Sequence, residues 1–442
     1  MSDQKVSSRR EFLKKSAVLG TVAAAGINLV PKVHASGSDM FKLGIIGCGG
    51  RGRGAVVNSL TAMPNVKLYA MGELFKDRGL SAREALKNAP VAKDRIDVSD
   101  ARLFNGFDNY KGVIEASDVV LIACASRFHP LYAYEAVKAG KHVFVEKPHG
   151  IDAAGVHKIL DAAKIAEKNK TAFVSGLCYR YDTLRREAVE KMKAGVIGDI
   201  VSVQSDYIRS PYSMIKREEG WSELEYQFRN WYHFTWLCGD EIMQSLLHNL
   251  DSVLWALNED LPESCYGIGG RSSTFTYEFG DVFDHSSIVY EYADGRRIYG
   301  ATRGAYKCYN SNLDVFHGTK GRCFFKASGI PWITDLSGKE IWRPDHKRER
   351  DMYVQEHYDM INSIMSGKTI NDGERMTKSS MVAVLGMVAS RCGQKVNYKE
   401  LFDSKFVLQP SIDGISFDQK PAAVPRADGL YDVAVPGTSK DF

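Results

Sequence analysis

Between residues 41 and 175 short, almost wholly apolar runs alternate with longer stretches whose apolar positions recur at helical spacing. Residues 41–46, Phe-Lys-Leu-Gly-Ile-Ile, read as a strand and residues 55–60 as a helix. Residues 66–71 form a second strand that runs into Gly72-Glu73. Residues 118–124 are nearly all apolar, the pattern of a strand buried on both faces. A helix over 130–139, a strand over 141–146, a helix over 153–167 and a strand over 171–175 follow. This alternation predicts an α/β fold whose first part is a Rossmann-type, doubly wound parallel sheet with helical crossovers.

The pattern changes afterwards. A helix begins at Tyr179 and runs to Lys193, and a strand opens at 198–204, reaches Tyr207, and is followed by Arg209 and Tyr212. Residues 285–292, 297–302, 313–317 and 323–325 alternate with period two, and Asp294-Gly295 marks a hairpin turn. Residues 352–365 and 375–392 read as two closing helices, whereas residues 405–442 hold turns and little periodicity. That last segment is either an arm over the body or one over a neighbouring copy.

Charge adds information mainly at the N-terminus. Residues 1–35 hold six bases and two acids, a net +4 that equals the +4 of all 442 residues, so residues 36–442 sum to zero. A neutral, mixed-sign body gives no electrostatic basis for nucleic-acid binding. The leader has Arg9-Arg10 followed by Phe12-Leu13-Lys14, then an uncharged run over 16–31, then Val33-His34-Ala35. It resembles a twin-arginine export signal with an A-x-A-like cleavage site; the alternative is an amphipathic helix on a membrane surface. The run is shorter than a membrane span, so no stable anchor is expected after export to the periplasm. The eight cysteines form no C-x-x-C pair, which predicts mostly buried thiols and no metal site.

Candidate chemistry starts at Gly47-Cys48-Gly49-Gly50-Arg51-Gly52, a G-x-G-x-x-G between strand and helix. Gly47 permits the tight turn, Gly49 removes the side chain that would hit a pyrophosphate, and Gly52 permits close helix–strand packing, with Gly50 and Arg51 as further cofactor contacts. Phosphates then meet the free amides of the helix start. The competing reading is an ordinary glycine turn. Glu73, at the end of the second strand, suits the ribose hydroxyls of NAD and would repel a 2′-phosphate, although Arg78 nearby suits one. Ligands of such sheets lie beyond the carboxyl ends of the strands. That edge carries Gly47, Glu73, Ala125, Ser126, Arg127, Glu146 and Lys147.

Three segments together carry a more specific likeness: Arg127-Phe128-His129-Pro130; the stretch from Ala139-Gly140-Lys141-His142 to Glu146-Lys147-Pro148; and Gly239-Asp240 through His248 to Asp251. Over residues 41 to about 400 the chain resembles the glucose–fructose oxidoreductase/inositol dehydrogenase/rhizopine-catabolism (Gfo/Idh/MocA) family, with some similarity to its NAD-dependent glycosidase branch. The resemblance implies a leader (1–35), an NAD-binding domain (36–177), an α/β domain for substrate and oligomer contacts with an open, mostly antiparallel sheet (178–404), and a C-terminal arm (405–442). It implies that Ser126, Arg127, His129 and Glu146 border the cofactor, that Lys147 faces both cofactor and substrate, and that His248 is catalytic. The family's usual Asp one turn before the histidine is Gln244 here.

A lysine held near a nicotinium ring and partly desolvated has a lowered pKa, which suits deprotonation of a sugar hydroxyl as hydride leaves the same carbon. Gln244, His248 and Asp251 fall on one face of a helical run. The alternatives for His248 are a structural histidine bonded to Asp251 and a metal ligand. Arg180 is a candidate substrate contact or a domain-interface ion pair. The aromatic stretch 228–238 reads either as a cleft wall for a pyranose or as a core connection, with Arg229, Asn230, Tyr232 and His233 as polar contacts.

These readings predict a sugar or glycoside oxidoreductase with tightly bound NAD, folded before export and forming a homo-oligomer, dimer or tetramer. The runner-up is an NAD-dependent glycosidase working by transient oxidation, elimination, water addition and re-reduction, with Tyr179, Tyr232 or His233 as its extra base. The third reading is a sugar-binding protein without catalysis.

Overall fold

The computed structural model describes residues 40–438 apart from 92, 328, 405, 409–411 and 413. The leader expected at 1–35 lies outside the described residues.

The first sheet contains β1 (Phe41–Ile46), β2 (Val66–Glu73), β3 (Leu103–Asn105), β4 (Val119–Ile122), β5 (His142–Val145) and β6 (Phe173–Ser175), all parallel, in the order β3-β2-β1-β4-β5-β6. The interleaved helices are α1 (Gly50–Ala62), α2 (Lys76–Lys87), α3 (Asn109–Ala116), α4 (His129–Lys138) and α5 (Ala153–Asn169). Period two sorts β4 between two cores. Val119 and Leu121 join the core under α1 and α2, while Val120 and Ile122 join the one under α4 and α5. Both faces are therefore covered, which is why β4 carries no polar residue. Asp152 caps α5 by accepting from the Gly155 amide at 2.7 Å. The chain reverses winding between β1 and β4, and the crevice of such sheets opens there.

After α6 (Thr183–Lys193) comes a nine-stranded sheet: β7 (Ile200–Arg209), β8 (Ser264–Gly270), β9 (His285–Glu291), β10 (Arg297–Gly304), β11 (Ser311–Gly318), β12 (Gly321–Lys326), β13 (Trp332–Asp335), β14 (Glu340–Trp342) and β15 (Val396–Asn397). Its order is β14-β13-β12-β11-β7-β10-β9-β8-β15, and only β7 with β10 is parallel. The hairpin between β9 and β10 turns at Gly295, whose φ of +87° is the left-handed conformation that glycine adopts without strain.

Between β7 and β8 the chain forms α7 (Glu223–Arg229), a tight turn at Trp231–His233, α8 (Thr235–Cys238) and α9 (Leu247–Ala256). After β14 come α10 (Met352–Met365), α11 (Gly373–Cys392) and, beyond β15, α12 (Tyr398–Asp403). One face of the large sheet packs on α9 and α11. By contrast α10 returns to the first sheet: Met360 and Ile361 enter its core, and Ser59 Oγ lies 3.0 Å from His357 Nδ1. The tail also lies on this body, with Phe417 against Phe75 and Phe107 at ring distances of 5.8 and 4.9 Å.

The run before His248 departs from a regular helix. Residues Ile242–Leu246 form a π-helical turn that leads into α9. Of the expected shared face, Gln244 and His248 line one cavity across the π turn, whereas Asp251, farther along α9, does not.

Candidate active site

The glycine loop joins β1 to α1 at the reversal point. Gly47 has φ +92°, and a Cβ there would lie 2.5 Å from the Cys124 amide nitrogen. A Cβ on Gly52 would lie 1.9 Å from the Gly47 carbonyl oxygen. A Cβ on Gly49 or Gly50 would meet nothing within 4 Å. The first and third glycines thus serve close packing, and the other two leave a clear approach to the first turn of α1. Glu73 closes β2, accepting from the Cys48 amide at 2.9 Å and the Phe75 amide at 3.4 Å. Gly47, Gly49, Gly50 and Glu73 line a cleft of about 450 Å³ that Phe228, Trp231 and Tyr232 also line. Backbone amides, clear space and a carboxylate at the end of the second strand fit a dinucleotide.

A second cavity of about 170 Å³ adjoins the cleft and holds Glu146, Lys147, His248, Gln244, Tyr212 and Tyr353. The two cavities share Arg51, Ala123, Cys124, Trp231 and Tyr232 as walls. Burial pushes the Lys147 ammonium down to about 8; Glu146 opposes that shift and the Arg209 cation adds to it. Lys147 Nζ donates to the backbone carbonyl oxygen of Gln244, which also accepts from the Tyr212 hydroxyl at 3.1 Å. Burial and the nearby cations Lys147, Arg185 and Arg51 hold His248 well below the usual histidine range, so its ring is neutral. Its Nδ1 is buried without a hydrogen-bond partner. Tyr232 stacks between Tyr212 and Trp231, at ring distances of 4.3 and 3.9 Å, and burial holds its hydroxyl up at about 12.

The remaining residues named from sequence are distributed differently. His129 lines the inner cavity, its Nδ1 2.7 Å from the Pro148 carbonyl oxygen and its Nε2 3.1 Å from that of Cys124. Ser126 is buried and accepts from Gln244 Nε2 at 3.0 Å, which ties the turn after β4 to the π-helical turn. Gln244 thus points its amide at the protein. Arg127 is buried in an ion pair with Asp152 and lines a different cavity beside α5, so the structure does not bring it to the dinucleotide cleft.

Arg180 and Asp251 form a bidentate ion pair, with Glu259 on the other side of the guanidinium and Ser379 Oγ 2.7 Å from the carboxylate. Neither lines the two cavities, and Asp251 does not meet the His248 ring. Arg229 reaches Asp77 at 3.3 Å and Glu225 at 2.9 Å, and stacks on Phe75 at 3.9 Å and Trp221 at 4.6 Å. Asn230 is buried and braces the fold, donating to the Glu278 carbonyl oxygen at 2.7 Å and accepting from the Ile215 amide at 2.9 Å. His233 is buried against Phe279 with a pKa near 4, driven by burial. Of the four polar contacts expected in the aromatic stretch, only Tyr232 faces the cavities.

Two wall residues gave no sequence signal as site residues: Tyr212 follows β7, and Tyr353 comes from α10. Glu241, outside the lining, bears electrostatically on Lys147 and accepts from Ser245 Oγ at 2.8 Å. All eight cysteines are free, six of them buried. Among the described residues no group of three or more His, Cys, Asp or Glu side chains is placed to hold a metal.

Residues 41–175 match the Gfo/Idh/MocA family model, described as oxidoreductase family, NAD-binding Rossmann fold. A myo-inositol 2-dehydrogenase of Thermotoga maritima is 23% identical over 338 residues, covering 74% of this chain and 89% of that protein. A glycosyl hydrolase family 109 protein of Solibacter usitatus is 24% identical over 241 residues, and the match spans only about half of each, 51% of this chain and 52% of that protein. A levoglucosan dehydrogenase solved with NADH and levoglucosan shares the fold, with a TM-score of 0.63 at 16% identity, over 81% of this chain and all of that one (100%).

Proposed function

We propose that this chain, a member of the Gfo/Idh/MocA oxidoreductase superfamily through residues 41–175, oxidises a ring carbon of a sugar or glycoside with a tightly held NAD. One observation carries the reading: the cavity of Lys147 and His248 adjoins the glycine-loop cleft and shares Arg51, Ala123, Cys124, Trp231 and Tyr232 with it. A dinucleotide held on the loop would supply a hydride acceptor and donor beside that cavity.

The residues supply the rest. Gly49, Gly50 and the start of α1 hold the pyrophosphate, and Glu73 holds the adenosine ribose. Lys147 near its pKa of about 8 takes the proton of the sugar hydroxyl as the carbonyl forms and returns it on reduction. Neutral His248 lines the same cavity and orients that hydroxyl. The stack of Tyr212, Tyr232 and Trp231 gives a flat wall for a pyranose.

Tight retention is supported by the aromatic wall and by Arg229, which joins the two sides of the cleft mouth at Asp77. Self-association is supported by the outward row Tyr266, Val289 and Tyr299 across three neighbouring strands. Export through a twin-arginine route into the periplasm remains part of this proposal on the strength of residues 9–14 alone.

The glycosidase reading draws on the family 109 relatives. It needs a second base beside C2 of the sugar. Tyr232 is held at about 12, Tyr179 is raised further by burial, and His233 lies outside the cavities. This favours net oxidoreduction. Incubation with aryl glycosides and mass measurement of products decides it. A keto-sugar is expected; aglycon release without net NADH would instead support the glycosidase, and failure to bind NAD would end both.

A further inference from the structure

Behind the inner cavity lies a carboxyl group with no evident role. Glu356, on α10, is fully buried, and among the described residues neither of its oxygens has a hydrogen-bond partner. An ionised carboxylate in that position would be severely destabilised. Two arginines bear on it electrostatically, and each is already engaged. Arg51 pairs with Glu146 at 2.8 Å, and Arg375 pairs with Asp372 at 2.7 Å. Lys147 adds a third cation, but on the Glu146 side only; Glu356 is the one carboxyl of the three without an ion pair to Arg51 or Arg375.

The other groups around it supply no further cation. His357 Nε2 lies 4.0 Å from Glu356 Oε1, but burial and Arg51 hold that ring neutral, with a pKa near 3. Asp351 adds negative charge from the start of α10. Tyr181, Tyr353 and Cys178 have pKa values raised by their surroundings and stay protonated. Glu146 is held above the usual carboxylate range by burial, and Glu356 well above it by burial and by Glu146.

Glu146 lines the inner cavity next to Lys147 in the chain. We propose that Glu146 and Glu356 form a buried acid pair that gives up a proton when a nicotinium charge enters the inner cavity and takes up the substrate's hydroxyl proton once that charge is neutralised. The inference rests on the oxidoreductase reading above. In the forward step the C–H bond breaks with its electron pair passing to the nicotinamide. The O–H proton passes to Lys147 and from it to the pair, so no proton reaches solvent. On reduction both return to the sugar. Glu356 touches neither substrate nor cofactor; it is a positioning residue acting through Glu146.

The test uses the full chain and needs no turnover. Exchange of bound NAD⁺ for NADH in weakly buffered solution near neutral pH should take up about one proton per chain. The infrared difference between the two states should show a carboxylic-acid carbonyl band in the NADH state. Glu356→Gln, which mimics the protonated acid, should abolish both signals while still binding both nucleotides. Glu146→Gln should abolish both as well, because Arg51 is then free to pair with Glu356. Equal proton content in the two states of the wild type, or a band that persists in both variants, overturns the proposal. If neither nucleotide binds, the oxidoreductase reading fails separately. The pair is then judged on the unliganded chain, whose infrared spectrum should contain a protonated-acid band that Glu356→Gln lacks.

Discussion

Lys147 and Gln244 are joined through the backbone: the lysine ammonium donates to the Gln244 carbonyl oxygen, and the Gln244 side chain turns the other way to Ser126. The π-helical turn at Ile242–Leu246 makes this arrangement possible, because it widens the helix where the lysine tip arrives. The position at which relatives of the resembled family carry an acid therefore contacts Lys147 through a main-chain atom. The proton chemistry of this site rests on the environment of Lys147 more than on a side chain at 244.

Sugar oxidation should accelerate as pH rises through about 8, where Lys147 loses its proton and becomes a base. Arg209→Gln removes a cation that depresses this value, so the midpoint should move to higher pH. Lys147→Met should lower turnover by about 100-fold or more with NAD binding retained. A rate profile with the same midpoint in wild type and Arg209→Gln would contradict the electrostatic account.

The glycines separate binding from folding. Gly49→Val adds a side chain where no protein atom lies within 4 Å, so melting should be unchanged while NAD affinity collapses. Gly52→Ala forces a methyl group to within 1.9 Å of a backbone oxygen and should cost about 1–3 kcal/mol of stability. Calorimetric melting beside nucleotide titration distinguishes the two effects. Equal destabilisation by both would remove Gly49 from the phosphate site.

The sequence was most legible where one physical requirement dominates. β1 and β4 are buried on both faces, and their apolar runs mark them with little error. The glycine loop was legible because backbone clearance at Gly47 and Gly52 leaves no room for a side chain. By contrast β3 has only three residues and no periodicity to detect. The polar residues of the aromatic stretch misled because Asn230 and His233 satisfy buried backbone and ring contacts, and composition does not distinguish that task from sugar binding. Tyr353 reaches the inner cavity from α10 through a long-range packing choice, the return of that helix onto α1, which no local pattern encodes.

Asp251→Asn tests the reassignment of the Arg180 pair. Asp251 is fully buried and Arg180 nearly so, at 0% and 12% side-chain exposure. Removing one partner leaves a buried, half-compensated cation, a loss of about 3–5 kcal/mol. Denaturant unfolding should register that loss, and KM for the sugar should stay within experimental error in the folded fraction. A large rise in KM with unchanged stability would return Asp251 to the substrate site.

Retention of the cofactor should depend on Arg229. This residue comes from α7, yet its guanidinium spans to Asp77 at the start of α2 and lies over Phe75, while Arg78 donates to its carbonyl oxygen at 3.1 Å. Phe75 in turn packs against Phe417 of the tail. Phe75 and Asp77 line the cleft near Glu73, so on the proposed reading these contacts would oppose release of the adenosine end of a dinucleotide. The Asp77 carboxylate is largely exposed and its ion pair adds little; the stacking on Phe75 and Trp221 carries the closure. Arg229→Ala should therefore speed NAD release by about 10-fold, the effect of losing a cation–π contact of about 1–2 kcal/mol. Arg229→Lys should restore less than half of that in free energy, because an ammonium stacks on flat rings less well. Displacement of bound NADH, followed by its fluorescence, measures both rates at constant salt. Release rates equal to wild type in both variants would mean that the aromatic wall of Phe228, Trp231 and Tyr232 holds the cofactor without this clasp.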